Sequence, residues 1–316
     1  MLFIQKSVNM DGNNKKYNRF SDYLKKKYNQ RVIKISLNAG FTCPNIDGTK
    51  AYGGCIYCSN KGSGDFAGLP GQNLVTQFNE IKAVMNKKWK TGLYLPYFQA
   101  YSNTYAPFEI LKEKYESVLY LDNVIGLDIA TRADCLEDKI VDYLANLSKE
   151  KEIWVELGLQ SIYDKTAKII NRGHTYKEFL QGVEKLRSRN INVCVHIING
   201  LPYETYEMMM NTAKELNKMD IQAVKIHLLH VLKNTPLENM YKKGKFKTME
   251  KMEYVNLVVD QLEILNPNIL VQRVTGDGSR EELVAPLWSL KKFELLNEID
   301  WEFERRKSFQ GKYFET

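Results

Sequence analysis

Three closely spaced cysteines offer the most distinctive chemistry in this sequence. Cys43, Cys55 and Cys58 fall within sixteen residues, and eleven residues separate the first from the second. A structural zinc site needs four ligands and a catalytic one needs three with a water, yet the nearest histidine, His174, lies 116 residues beyond Cys58. A [4Fe-4S] cluster tolerates one iron without a protein ligand. The spacing therefore favours a cluster on these cysteines and leaves zinc or unliganded thiols as alternatives.

Two further cysteines bring the total to five. Cys194 alternates with valines in an apolar run and is expected in the core, whereas Cys135 follows a predicted strand and could be a functional thiol. An odd count, in a chain whose four-residue apolar opening is too short for a secretion signal, argues against a disulfide framework.

Charged side chains interrupt or end apolar runs where a catalytic group would be useful. Asp128 lies inside such a run, and a buried carboxylate needs a partner. We expect it to contact substrate or cofactor, or to pair with Arg132 or Lys225. His227 and His230 flank the end of a later run, where each could donate a proton, contact substrate or serve only the core. Asp128, His227 and His230 are the catalytic candidates.

Strands and helices alternate along most of the chain, and these elements must bring the candidate residues together. Short β-rich runs are each followed by an amphipathic helical pattern, which is typical of βα units and a parallel sheet. The loops after the carboxyl ends of such strands build the site. Six repeats predict an α/β fold, a partial (βα)6 TIM-like barrel rather than a complete eightfold one. The predicted strands span 32–37, 92–97, 124–129, 153–157, 191–198 and 223–228.

No linker rich in proline or glycine divides the chain, so we predict one catalytic barrel with two extensions packed on it. The N-terminal extension covers 1–31, the barrel 32–240 and the C-terminal extension 241–316, with an extra strand at 269–274. Hydrophobic residues make up 44% and charged residues 26%, a globular composition that excludes a largely disordered chain. No apolar run reaches the roughly 18 residues of a membrane span, so we expect a cytoplasmic protein without a membrane partner.

The net charge of +7 is concentrated in the first forty residues, which hold nine basic and two acidic side chains. Aromatic residues are interleaved with these charges and could stack on bases. Such a segment is typical of polyanion-binding proteins, and the alternative is an amphipathic helix whose inner stripe is Tyr17, Phe20 and Leu24. The predicted nucleic-acid contacts are Lys15, Lys16, Arg19, Lys25, Lys26, Lys27 and Arg31, with Arg305, Arg306 and Lys307 near the other end.

Seven stretches of the sequence, in order, resemble the radical SAM superfamily and most closely its YhcC/YtqA-type branch, also called MnmL. That branch is related to the radical SAM domain of the Elongator catalytic subunit. The cysteine spacing departs from the superfamily's common Cys-x3-Cys-x2-Cys and is similar to this branch. The resemblance runs from about Tyr17 to Gly311. The stretches are NAGFTCPN, GGCIYCSNKGSGDFAG, YFQAYSNTYAP, ELGLQS, NRGHT, HIINGLP and VTGDG.

The resemblance implies two cofactors and the residues that hold them. A [4Fe-4S] cluster on the three cysteines would bind S-adenosylmethionine through its open iron, and an electron would cleave that molecule to a 5′-deoxyadenosyl radical. A carboxylate such as Glu156 can accept hydrogen bonds from ribose hydroxyls, and Arg172 can take a carboxylate bidentately or remain a surface cation. Gln99 and Asn103 could instead cap the following helix. The implied S-adenosylmethionine ligands are Gln99, Tyr101, Ser102, Asn103, Glu156, Gln160 and Arg172.

The resemblance also implies a substrate. A 5′-deoxyadenosyl radical abstracts hydrogen from a carbon that acid-base catalysis cannot reach. MnmL-type proteins are associated with converting 5-carboxymethylaminomethyl-(2-thio)uridine, at the wobble position of tRNA, to the 5-aminomethyl form. We therefore expect hydrogen abstraction from the carboxymethyl methylene, oxidation to an imine and hydrolysis that releases the two-carbon unit. Because the sequence ends at Thr316, we expect no acetyltransferase domain and no acetyl transfer.

Two other functions stay open at this point. One is a radical SAM enzyme that acts on a small-molecule or porphyrin-like metabolite, since parts of ELGLQS and NRGHT also occur in such relatives. The other is a non-catalytic, metal-containing RNA-binding protein. The expected partners are tRNA, an electron donor such as flavodoxin or ferredoxin, and a downstream tRNA methyltransferase.

Overall fold

Apolar runs of valine, isoleucine and leucine form the strands of the main sheet. A computed structural model describes residues 15–62, 64, 67–89 and 92–315. The first fourteen residues of the predicted basic extension, and Ser63, Asp65 and Phe66 of the second cysteine stretch, lie outside the described residues. The strands are β1 (Val32–Leu37), β2 (Leu93–Phe98), β3 (Gly126–Thr131), β4 (Glu152–Gln160), β5 (Asn192–Asn199), β6 (Ala223–Leu228), β7 (Val231–Leu232), β8 (Leu270–Arg273) and β9 (Leu283–Ala285).

Helices occupy most of the connections between these strands. Thr175 fixes the start of the helix at Tyr176–Arg187, because its side chain accepts from the backbone N–H of Glu178 while the Glu178 carboxylate accepts from the backbone N–H of Thr175. The helices are α1 (Phe20–Tyr28), α2 (Leu74–Lys88), α3 (Phe108–Leu119), α4 (Asp138–Leu147), α5 (Asp164–Ile169), α6 (Tyr176–Arg187), α7 (Tyr206–Leu216), α8 (Pro236–Lys242), α9 (Lys251–Ile264) and α10 (Lys292–Arg305).

The main sheet has seven parallel strands in the order β1-β2-β3-β4-β5-β6-β8. The sheet curls into a partial barrel, which confirms the predicted fold class. The extra strand expected at 269–274 is its seventh strand, β8, which pairs in parallel with β6. The carboxyl ends of all seven strands meet at one edge, and we call this the C-terminal end of the barrel. The loops that could hold a site therefore start together at that end.

Helix α1 closes the opposite, N-terminal end of the barrel. Phe20 and Leu24 pack with side chains near the start of the strands, among them Leu95, Trp154 and Leu270. The Phe20 and Trp154 rings meet edge to face at 4.9 Å. The stripe predicted as the inner face of this helix is thus buried, and its basic side chains surround the barrel end that lies away from the site loops.

The C-terminal segment packs along the barrel and returns to the start of the chain. Helices α9 and α10 lie against each other, and Phe303 of α10 contacts the ring of Tyr17. Gln310 accepts from the backbone of Asn18 at 2.8 Å. No helix within the described residues is both long and apolar enough to cross a membrane.

Candidate active site

The loop that follows β1 carries the three predicted cluster ligands to the C-terminal end of the barrel. We call residues 43–58 the cysteine loop. Cys43, Cys55 and Cys58 are half-buried free thiols that line one cavity of about 500 Å³. Gly53 and Gly54 both have positive φ, at 78° and 73°, and this left-handed backbone turns the chain into Cys55.

The thiol of Cys55 lies in a polar setting that favours the thiolate. A hydrogen bond with Cys58 and the charge of Arg132 lower the pKa of Cys55 to about 7, although burial opposes them. Asn45 donates to Cys55 Sγ at 3.7 Å, and the same amide group donates to the carbonyl oxygen of Arg172 at 2.9 Å. A deprotonated sulfur is the form that binds metal.

The three sulfur atoms line one cavity and are not all gathered within the distance that a single ion requires. Sulfur ligands around one zinc ion lie about 4 Å apart, because each Zn–S bond is about 2.3 Å. Within the described part of the chain, the one group of three ligand atoms that lie within 4.8 Å of one another is Glu156, Cys194 and His196. The three loop sulfurs are therefore not all within 4.8 Å of one another, although Cys55 and Cys58 share a hydrogen bond, and three thiols on one cavity wall can hold a [4Fe-4S] cluster.

The polar stretch after β2 lies beside the cysteine loop. Gln99, Tyr101 and Ser102 line the same cavity. Tyr101 has φ of 62° and donates from its backbone to the carbonyl oxygen of Gly62 at 2.9 Å. Ser102 Oγ is buried without a hydrogen-bond partner among the described residues. These three side chains face the space where a ligand of the cluster would bind.

Asn103 belongs to the barrel wall and not to the cavity lining. Its side-chain amide donates to the carbonyl oxygens of Phe98 at 3.1 Å and Ala130 at 2.8 Å. These bonds tie the end of β2 to β3. Asn103 therefore holds the two strand ends in place and positions its neighbour Ser102.

The end of β4 bends at Gln160. This residue has φ of 65°, and the pairing of β4 with β5 shifts between Gly158 and Gln160. A Cβ at position 158 would lie 2.5 Å from Gln160 Nε2, so a larger residue there would displace the end of the Gln160 side chain. The bend places Gln160 in the cavity lining.

Arg172 is buried and holds the carbonyl oxygens that follow this bend. Its guanidinium donates to the carbonyl oxygens of Leu159 and Ser161 and, at 3.0 Å, to that of His174. The side chain also lines the cavity. These hydrogen bonds support the end of β4, and the remaining nitrogen of Arg172, Nη2, lies 3.7 Å from Asp164 Oδ1.

A cluster of buried charges fills the barrel below the cysteine loop. We call Lys34, Asp128, Glu156, His196 and Lys225 the charged cluster. Glu156 Oε2 lies 2.5 Å from Lys225 Nζ and 2.8 Å from His196 Nε2, and Glu156 Oε1 lies 3.0 Å from Lys34 Nζ. Lys34 also pairs with Asp128. The expected pairing of Asp128 with Arg132 or Lys225 is wrong, because Lys34 is its direct partner and the Arg132 guanidinium binds Asp134.

The charged cluster can exchange a proton near neutral pH. Burial, together with the charge of Glu156, raises the pKa of Asp128 to about 7. Burial lowers the pKa of Lys225 to about 8. Burial alone would raise the pKa of Glu156, but Lys225 and Lys34 hold it well below its ordinary value. Two ammonium groups on one carboxylate also leave Glu156, Cys194 and His196 unsuited to a metal cation.

Sequence reasoning named Lys225 only as a partner for Asp128 and did not identify Lys34 or His196 as part of the site. A signal was present, since Lys34 interrupts the apolar run of β1 and Lys225 and His196 interrupt those of β6 and β5. A charged side chain in a strand that is buried on both faces needs a partner inside the barrel.

His227 and His230 lie where the sequence predicts them, at the end of β6. Both line the cavity, and the Nε2 atom of each is buried without a hydrogen-bond partner among the described residues. Burial lowers the pKa of both rings, that of His230 to about 4, so both are neutral at pH 7. Each can therefore accept or donate one hydrogen bond to a ligand.

The predicted nucleic-acid contacts lie away from the cavity, and many are paired within the chain. Lys15 pairs with Asp22 at 2.9 Å, Arg19 with Asp300 at 3.2 Å and Lys27 with Glu152 at 2.5 Å. Lys25, Lys26 and Arg31 are exposed, Lys16 is half-buried, and Arg31 lies over the Trp89 ring.

The second predicted basic cluster, at the end of α10, is also engaged within the chain. Arg306 contacts Asp260 and Glu302, each at 2.5 Å, and Arg305 contacts Glu302 at 2.5 Å. Lys307 is exposed. This cluster lies close to α1, because Asp300 of the same helix pairs with Arg19.

Comparisons with known proteins show which family the chain resembles. A family model described as the Radical SAM superfamily matches residues 49–216, and one described as the Radical_SAM C-terminal domain matches residues 221–305. The chain is 52% identical over 301 residues to the uncharacterized protein YtqA of Bacillus subtilis (strain 168). That alignment covers 95% of this chain and 94% of YtqA.

Two partial matches connect the chain to larger proteins. It is 28% identical over 156 residues to the tRNA uridine(34) acetyltransferase of Methanocaldococcus infernus. That alignment covers 48% of this chain and 29% of the acetyltransferase. The solved structure of the archaeal Methanocaldococcus infernus Elp3 with an N-terminal deletion superposes with a TM-score of 0.67 at 19% identity, over 88% of this chain and 64% of that one. The latter comparison shows a shared fold.

Proposed function

This chain belongs to the radical SAM superfamily and to its YhcC/YtqA branch, and from that premise we propose that it is an enzyme that modifies the wobble uridine of tRNA. The reaction we propose converts 5-carboxymethylaminomethyl-(2-thio)uridine to 5-aminomethyl-(2-thio)uridine. One structural observation carries the proposal: a single cavity is lined by three cysteines and by charged side chains of both signs. The similarity to a protein named for its action on uridine 34 of tRNA supports the choice of nucleoside.

Radical SAM enzymes use a [4Fe-4S] cluster and S-adenosylmethionine, and the residues at the C-terminal end of the barrel fit both. When bound, these groups supply a 5′-deoxyadenosyl radical, which abstracts hydrogen from an unactivated carbon. Cys43, Cys55 and Cys58 would hold the cluster. The side chains that could hold S-adenosylmethionine line the same cavity: Gln99, Tyr101 and Ser102 follow β2, Gln160 ends β4, Glu156 lies deeper in that strand, and Arg172 donates to carbonyl oxygens beside its end.

The charge balance of the cavity suits the proposed substituent, which carries a secondary ammonium and a carboxylate. Lys34 and Lys225 line the cavity with positive charges and Glu156 lines it with a negative one, while the buried Asp128 pairs with Lys34. A ligand with both signs can find a partner for each inside a buried site, where an unpaired charge is costly. His227 adds a neutral hydrogen-bonding group on the same wall.

The proposed reaction balances as a two-electron oxidation followed by hydrolysis. The carboxymethyl methylene would lose a hydrogen atom to the 5′-deoxyadenosyl radical, and the carbon radical would pass one electron to an oxidised iron–sulfur centre while the nitrogen loses its proton. The imine adds water, and its carbon–nitrogen bond breaks to give the 5-aminomethyl nucleoside and glyoxylate. Asp128, whose pKa is raised to about 7, is a described group suited to take up the proton.

The test measures 5′-deoxyadenosine after anaerobic reconstitution with iron, sulfide, S-adenosylmethionine and a reductant. We expect tRNA that carries the carboxymethylaminomethyl wobble base to stimulate production, and deuterium at the carboxymethyl methylene to appear in the 5′-deoxyadenosine. The control is the same tRNA with an unmodified wobble uridine. Equal production with both tRNAs, or no transfer of deuterium, would contradict the proposed substrate while leaving the radical SAM assignment intact.

The expected partners follow from this reaction. The first electron would come from a flavodoxin or ferredoxin, and a tRNA methyltransferase would use the new primary amine. A tRNA substrate would place the enzyme in the cytoplasm.

A further inference from the structure

A run of exposed lysines lies near the cavity and takes no part in the site described above. Residues 242–247 read Lys-Lys-Gly-Lys-Phe-Lys, and we call them the lysine loop. Its four lysines are exposed. Lys242 pairs with Glu238 at 2.8 Å. Within the described part of the chain, Lys243, Lys245 and Lys247 show neither an ion pair nor a side-chain hydrogen bond.

Two contacts fix the lysine loop beside the cysteine loop. The backbone N–H of Leu237, in the helix that leads into the lysine loop, donates to the carbonyl oxygen of Ile56 at 3.0 Å. Phe246, inside the lysine loop, is buried in an apolar group that includes Leu237, Ile56 and Tyr57. Because Ile56 and Tyr57 stand between two of the cluster ligands, the lysines project from the C-terminal end of the barrel.

The basic side chains of α1 and of the end of α10 lie at the N-terminal end of the barrel. A substrate that enters the cavity would approach the opposite end. Phe20 of α1 packs against Trp154 at the N-terminal end of the barrel, and the cysteines stand at the other. Several terminal cations are also neutralised by partners in the same chain, as in the pairs of Lys27 with Glu152 and Arg19 with Asp300. A cation already paired releases fewer counterions when it meets a phosphate.

We propose that the lysine loop binds the phosphate backbone of the RNA substrate and holds it over the cavity. This inference rests on the proposed function and adds the surface that the function requires. Tyr203, in the turn after β5, is 57% exposed and could stack on an unpaired base near this surface. Met249, just beyond the lysine loop, packs against Gly200 of the same turn and so places the two features side by side.

Paired charge-reversal variants of the full chain test the inference. Lys245→Glu with Lys247→Glu removes two unpaired cations from the lysine loop, and Lys25→Glu with Lys26→Glu makes the same charge change on α1. Binding of fluorescent tRNA is measured by anisotropy across a salt series. We expect the lysine-loop variant to lose about tenfold or more in affinity near 0.1 M salt, with the salt slope reduced by about 1.5, and the α1 variant to change little.

Three further readouts separate the outcomes. Production of 5′-deoxyadenosine without tRNA should match that of the unaltered protein, because the lysine loop touches no proposed cofactor ligand. The variant Lys245→Arg with Lys247→Arg should bind tRNA like the unaltered protein.

If the unaltered protein binds tRNA and only the α1 variant binds it more weakly, the inference fails and the proposed function stands. If the unaltered protein binds no tRNA, both fail. If the lysine-loop variant binds tRNA normally but accepts electrons poorly from an acidic flavodoxin, the surface serves an electron carrier and the inference is overturned.

Discussion

Lys34 of β1 and Glu156 of β4 form an ion pair across the inside of the barrel, with Lys34 Nζ 3.0 Å from Glu156 Oε1. Two strands stand between β1 and β4 in the sheet. In a flat sheet strands are about 4.8 Å apart, so these two would be about 14 Å from each other. The ion pair therefore depends on the curl of the sheet, and the curl encloses the charges between the strands.

Replacing Glu156 with glutamine should destabilise the protein strongly. The substitution leaves Lys34 and Lys225 buried without their shared carboxylate, and breaking a buried pair in this way costs about 3–5 kcal/mol. The free energy of unfolding, measured by urea denaturation, should fall by that amount. Glu109→Gln is the matched control, because Glu109 pairs with Lys139 on the exposed surface and should change little. Equal effects of the two substitutions would contradict the buried network.

Asp128 should make stability depend on pH between about 4 and 7. Its pKa is raised from 3.8 to about 7 by burial and by Glu156, so the folded protein binds a proton that the unfolded chain releases. The stabilising contribution of that proton is complete below the unfolded pKa and is lost as pH rises through the folded pKa. Asp128→Asn should therefore become steadily more stable relative to the unaltered protein from pH 4 to 7. A constant difference in the free energy of unfolding over this range would show that Asp128 does not titrate in this way.

The sequence predicts the wall of the barrel better than its interior. Strand β1 and strand β6 have the predicted bounds, and a polar residue flanks each apolar run, Asn38 after β1 and Gln222 before β6. The charge partners inside the barrel could not be predicted, since they join strands that are far apart in the chain. The spacing of the cysteines predicts their chemistry for a different reason, because all three stand on one loop.

The basic segments show another limit of sequence reasoning. A count of charges identifies nine cations in the first forty residues but does not reveal that Lys27 and Arg19 are paired with Glu152 and Asp300. Nor does it show which end of the barrel α1 covers. The lysines at 242–247 stand out only once the fold places them near the cysteine loop.

Replacing a cluster ligand should remove iron without unfolding the protein. We expect about four irons per reconstituted chain, and Cys55→Ser should lose most of that iron together with 5′-deoxyadenosine production. Cys135→Ala is the control, because Cys135 is buried and burial raises the pKa of its thiol to about 12, which keeps it protonated. Iron analysis and far-ultraviolet circular dichroism make the comparison. Full iron in Cys55→Ser, or an equal loss in Cys135→Ala, would count against the assigned ligands.

Replacing Phe20 with alanine should test whether α1 closes the N-terminal end of the barrel. Phe20 is 5% exposed, packs edge to face on Trp154 and lines the floor of the cavity. Truncating a buried phenylalanine costs about 3–5 kcal/mol, and here the gap would also admit water to the floor of the cavity and to the charged cluster. Phe293→Ala removes the same side chain from a position that is 76% exposed and should have little effect on stability. Urea denaturation compares the two variants, and a Phe20→Ala protein as stable as Phe293→Ala would mean that α1 does not close the barrel. Binding of tRNA to folded Phe20→Ala should stay unchanged, because the lysine loop stands at the other end.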